Sequence, residues 1–121
     1  MYINITQEDI ELGIKEDATS CPIARATMRS IESYLKDRGF VEINISVYQF
    51  GHIFLDGGKT WLGPQITISA RNNSSPNEYY KTYAPIALRC EKFINDFDNG
   101  WEVKPMKIIL NEKYLNLVER R

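Results

Sequence analysis

Residues 22–47 read PIARATMRSIESYLKDRGFVEINISV, and their hydrophobic period changes half-way along. In the first half Ile23, Ala24, Thr27, Met28, Ile31, Tyr34 and Leu35 recur at three- and four-residue spacing, with Arg25, Arg29, Glu32, Lys36 and Asp37 on the other side. This pattern predicts an amphipathic helix from Pro22 to about Asp37. Proline suits the first helical position, where its missing N–H would have no intrahelical acceptor. Gly39 supplies the left-handed residue that ends such a helix. In the second half Val41, Ile43, Ile45 and Val47 alternate with Glu42, Asn44, Ser46 and Tyr48, the signature of a half-buried strand.

Working outward, Tyr2-Ile3-Asn4-Ile5 reads as a short strand, and Thr6 as the cap of a turn over Gln7-Glu8-Asp9-Ile10 that Gly13 ends. Residues 16–20 form a polar connector to Cys21. Downstream, Gly51-His52 is expected to break the strand. Asp56-Gly57-Gly58-Lys59 makes a hairpin between Ile53-Phe54-Leu55 and Thr60-Trp61-Leu62, and Gly63-Pro64 turns the chain again. Residues 65–70 give another strand, 71–78 a polar loop, and 79–83 a short aromatic strand. A second helix opens at Pro85, with Ile86, Cys90, Phe93, Ile94 and Phe97 on its apolar face, and closes at Asp98-Asn99-Gly100. Met106–Leu110 is a last strand, and Tyr114–Arg121 a tail with a helical turn. The expectation is one domain over 1–121 of class α+β, with two helices packed on one face of a mainly antiparallel sheet of about five or six strands.

Fifteen Lys and Arg against sixteen Asp and Glu leave a net charge of -1, with the two signs interleaved; the only basic cluster is Glu119-Arg120-Arg121. A general nucleic-acid binder carries a basic excess or stripe, so this class ranks last among the binding functions. The apolar runs are a few residues long, too short to cross a membrane as a helix. The start lacks the regions of a signal peptide, which points to the cytoplasm. Cys21 and Cys90 lie 69 residues apart without a CxxC, and His52 is the only histidine, so no zinc or redox motif is available and no cofactor is expected.

Two stretches carry a resemblance. One is Thr6-Gln7-Glu8-Asp9-Ile10, Gly13 and Cys21-Pro22-Ile23-Ala24 followed by Ala26. The other is Tyr83, Pro85, Phe93-Ile94-Asn95-Asp96-Phe97-Asp98-Asn99-Gly100 and Val103-Lys104-Pro105-Met106. Together they resemble a family of small proteins found mainly in bacteriophage genomes, with the pattern TxxDIxxG…CPIAxA…LP…FIxxFDxGxxVxPFxFxL. Met106, Ile108 and Leu110 stand where that family has aromatics, and Ala84 where it has leucine. The middle, Tyr48 to Tyr80, is longer than in the family. The resemblance implies a phage-encoded accessory protein in the host cytoplasm. It carries over no catalytic residues, because the family has none assigned.

The residues themselves offer few catalytic constellations. Cys21 at a helix N-terminus has a nucleophile's position but no base in its neighbourhood, so it reads as a capping or core thiol. Cys90 reads as core. Asp56-Gly57-Gly58-Lys59-Thr60 lacks the spacing and the following helix of a phosphate loop. Glu16-Asp17 and Asp96-Asp98 sit beside caps rather than in a paired-carboxylate setting. The aromatics are more informative: Tyr79, Tyr80 and Tyr83 cannot all point inward from one strand. With His52, Lys59, Trp61 and Arg71 they suggest a binding surface of the residue types that dominate interfaces and stack on bases. The expected function is therefore non-enzymatic, binding and inhibiting a host protein of an antiviral system, as a monomer or homodimer. The alternatives are sequestration of a nucleotide-like small molecule, and weak binding of nucleic acid.

Overall fold

A computed structural model describes residues 1–120, with the backbone path alone at 56, 75, 76 and 118–120. The order of elements is β1 (Tyr2–Ile5), α1 (Gln7–Leu12), α2 (Pro22–Lys36), β2 (Phe40–Phe54), β3 (Thr60–Asn72), β4 (Ser75–Pro85), α3 (Arg89–Asp98), β5 (Met106–Ile109) and β6 (Val118–Arg120). The class is α+β. The strands do not form one sheet, as the sequence suggested, but two antiparallel ones: β1 pairs with β5, and the larger sheet runs β2-β3-β4-β6. β1 and β5 bury Ile3 and Ile108 as a cross-strand pair. α2 packs on both β1 and β2 and so joins the two sheets, with Ile23, Ile31 and Leu35 fully buried in one core. Each such side chain stabilises the fold by about 1.5–3 kcal/mol relative to exposure.

The local signals explain the helix ends. Thr6 Oγ1 accepts from Asp9 N (3.2 Å) while the Asp9 carboxylate accepts from Thr6 N (2.9 Å), a reciprocal capping box. At α2 the cap is Cys21, whose Sγ accepts from Ala24 N at 3.5 Å, followed by Pro22.

Four expectations about the sheet are corrected. β2 does not break at Gly51-His52; a bulge between Tyr48 and Gly51 absorbs the irregularity and the strand continues to Phe54. Gly63-Pro64 does not turn the chain, because Pro64 lies opposite that bulge, where no ladder bond is asked of its nitrogen, and its carbonyl still accepts from Ile86 N (3.2 Å). The polar stretch 71–78 is not a loop: β3 runs to Asn72 and β4 starts at Ser75, with Asn72 Oδ1 accepting from Ser74 N (2.8 Å) to close the turn. Pro85 ends β4 instead of opening a helix, and α3 starts at Arg89. The hairpin at 56–59 forms as expected, with Gly57 and Gly58 both at positive φ (79° and 77°). In the tail a 3-10 turn at Glu112–Leu115 precedes β6, and Arg121 lies outside the described residues.

The core lies between the helices and one face of the larger sheet. Ile45, Val47, Ile66, Ile68, Ala70 and Ala84 turn towards it. The opposite face carries Asn44, Ser46, Tyr48, Gln65, Thr67, Ser69, Arg71, Tyr79, Lys81 and Tyr83 by strand alternation.

Candidate functional site

On that outer face the register places Arg71 directly across from Tyr79. Its guanidinium lies 4.6 Å from the centre of the Tyr79 ring, Nη2 donates to the Tyr79 hydroxyl (2.9 Å), and Nε is 2.8 Å from Glu42 Oε2. The Tyr79 hydroxyl, then the Glu42 carboxylate, push Arg71 further towards its charged form. Two residues along β4, Lys81 Nζ lies 5.2 Å over the ring of Tyr83. Tyr80 points the other way: it packs edge-on against Phe40 (5.4 Å) on the core side, and its hydroxyl donates to Glu78 Oε2 (3.1 Å). The three tyrosines thus divide two to one between the faces, as their spacing requires.

The central strand holds two buried polar groups on this face. Gln65 and Thr67 are each 8% exposed, and Gln65 Oε1 and Thr67 Oγ1 have no hydrogen-bond partner among the described residues. Gln65 lies over Gly51, where a Cβ would come within 2.2 Å of its amide oxygen.

On the Thr60 side of Gln65, β3 pairs among the described residues with β2 alone, and the pair extends as a two-stranded arm. Trp61 is on this arm, half-buried, opposite the buried Ile53; its Nε1 donates to the Pro64 carbonyl (3.0 Å). Ten residues of strand separate Trp61 from Arg71, about 33 Å of chain. The predicted surface therefore splits, with Arg71, Tyr79 and Tyr83 at one end of the sheet and His52, Lys59 and Trp61 on the arm. Lys59 is exposed just after the turn.

His52 belongs to a different group from Trp61. It pairs with Leu62 across the strands, and its ring lies 4.8 Å from that of Phe54, two residues on. Phe54 is 80% exposed, Leu62 56% and Phe50, two residues back, 65%. His52 was among the sequence candidates, but its neighbours Phe50, Phe54 and Leu62 were missed because the strand was expected to break at Gly51-His52. Continuing the two-residue period through the glycine finds them.

The candidate reactive groups are in structural settings. Burial, the largest cause, raises the Cys21 thiol above its usual value, and the same cause pushes Cys90 up to about 11. Asp56-Gly57-Gly58-Lys59 forms the hairpin turn, followed by a strand. Asp98 Oδ1 accepts from Glu16 N (2.9 Å) and Asp96 pairs with Lys92 (2.7 Å). Among the described residues no group of three or more His, Cys, Asp or Glu is placed to hold a metal ion, and no helix is long and apolar enough to cross a membrane. No family model, curated protein or solved structure matches the chain.

Proposed function

We propose that this chain is a binding protein that docks on a partner protein through the exposed face of the β2–β3 arm. The observation that carries the reading is the cluster of Phe50, Phe54 and Leu62, each more than half exposed, on a two-stranded projection. Large aromatic side chains kept in water are costly to leave uncovered and dominate binding energy once covered. Taken with the resemblance to phage proteins, the partner is a host protein that the chain engages in the cytoplasm and inhibits. The test is a tagged pull-down from host lysate with the wild type and with Phe54→Ala and Leu62→Ala. Both positions are exposed, so stability should change by no more than about 0.5 kcal/mol, while partner affinity falls about tenfold or more. A partner retained equally by both variants rejects the arm as the docking surface.

Sequestration of a nucleotide-like molecule is the second reading. It is favoured by the two cation–aromatic pairs, Arg71 with Tyr79 and Lys81 with Tyr83, which place rings for stacking beside charges for phosphate. Mass spectrometry of small molecules released from the same bait decides it: a nucleotide without a protein partner supports sequestration.

A further inference from the structure

A groove of about 740 Å3 runs along the outer side of α2. Its helical wall is Arg25, Met28, Arg29, Glu32, Ser33 and Lys36, a stripe at three- and four-residue spacing. Leu12 and Ile14 stand on its rim, 56% and 54% exposed. Its far wall is β2 at Asn44 and Ile45, and β2 is the edge strand of the larger sheet.

The backbone of that edge is partly used. Val47 N donates to the Ala18 carbonyl (2.9 Å), so Val47 turns its polar groups away from β3. In an antiparallel ladder this direction alternates, so Ile45 also turns its N–H and C=O to the free edge, into the groove. On the other side the edge is bent by a bulge between Val41 and Asn44, where Glu42 holds φ at 52°. The open stretch of edge is therefore short. Closed by Ala18 at one end and bent at the other, it has room for a short segment and none for a second sheet to pair along it.

We propose that this groove receives a short extended peptide of acidic character, added as a strand at Ile45. The α2 stripe runs from Arg25 to Lys36, eleven helical steps or about 16 Å, which matches about five residues of extended chain. An apolar side chain of the peptide sits among Leu12, Ile14 and Met28. The acidic preference comes from Arg25. Lys36 is taken by Glu32 (2.5 Å), whereas Arg29 (2.7 and 2.6 Å) and Arg25 (3.5 Å) share the single carboxylate of Asp9, so two guanidinium groups face one negative charge and the partly exposed Arg25 leaves positive charge in excess on the groove wall. Main-chain bonds supply affinity and the side-chain contacts supply selectivity, as in other strand-addition sites.

The probes are a capped peptide Asp-Val-Glu-Val-Asp, its basic counterpart Lys-Val-Lys-Val-Lys, and adenosine monophosphate, each titrated to millimolar concentration into the labelled full chain and followed by amide NMR. The acidic peptide is expected to shift the amides of Arg25, Met28 and Ile45 and to slow exchange at Ile45. Arg25→Gln should weaken it about tenfold, the loss of a charged hydrogen bond. Ile14→Asp, at an exposed rim position, should also weaken it and keeps the test valid if the Arg25 variant fails to fold. Phe54→Ala should leave peptide binding unchanged, since the arm lies about nine strand residues from Ile45, about 30 Å away. Equal binding of the basic peptide, shifts with the nucleotide but not the acidic peptide, or no shift at these amides with any probe would each overturn the proposal.

Discussion

Asp9 is fully buried, and its carboxylate accepts from Thr6 N, Thr6 Oγ1 and both terminal nitrogens of Arg29. Burial alone would raise its pKa. The hydrogen bonds from Arg29 and Thr6, with the Arg29 charge, outweigh that and hold the group at about 2 against 3.8 in the open chain. A folded-state value below the unfolded one stabilises the protein above pH 4 and loses that stabilisation as pH falls towards 2, by about 2 kcal/mol in all. Urea denaturation at pH 7 and pH 3 should show about half of this loss, about 1 kcal/mol, in the wild type. Asp9→Asn should be less stable by about 2–3 kcal/mol at pH 7, part of the cost of breaking a buried pair whose Arg29 side is half in water. Its stability should also fall less than the wild type's between pH 4 and 2, because the Asp9 share of the acid dependence is gone. At this scale the cap was legible, since Thr6 and Asp9 are three residues apart. The burial was not: Arg29 comes from the next helix, and the sequence placed it on the solvent side of α2.

At the scale of elements, the bulge in β2 governs where side chains point. It lets one continuous strand run past Gly51 and gives Pro64 a place inside β3. It also brings Gly51 under Gln65 so closely that any Cβ collides with the buried amide. Gly51→Ala should therefore cost about 1–3 kcal/mol in thermal or urea unfolding, and adding Gln65→Ala should recover part of that loss because the clash partner is gone. Strictly additive losses would show that the glycine is needed for some other reason. Helix α2 was readable to within a residue, because its signals, Pro22 at the start and a 3.6-residue period, are local. Strand breaks were not, because glycine, proline and Asn-Ser clusters favour turns in isolation but are equally at home in bulges and tight hairpins once a partner strand fixes the register.

For the whole molecule, one core joins two sheets through α2, and both cysteines lie in it, at 8% and 0% exposure. With both thiols raised by burial, a thiol reagent at pH 8 should leave the native chain unlabelled and react with both cysteines only as urea unfolds it, in step with loss of circular dichroism. Rapid labelling of Cys21 in the native state would restore its claim to reactivity. Of the tyrosines that the sequence singled out, Tyr79 and Tyr83 face water and Tyr80 turns into the core, while Phe50, Phe54 and Leu62 are exposed on the arm. By itself the sequence determined what rests on neighbouring residues, namely the α+β class, the N-terminal caps of α1 and α2, the Gly-Gly hairpin and the burial of Cys90 on an apolar stripe. Only the tertiary structure decided that β1 pairs with β5, that Asp9 is buried beneath Arg29, and which aromatics face water. Strand pairing is long-range, and a shift of one residue in register turns every side chain to the opposite face.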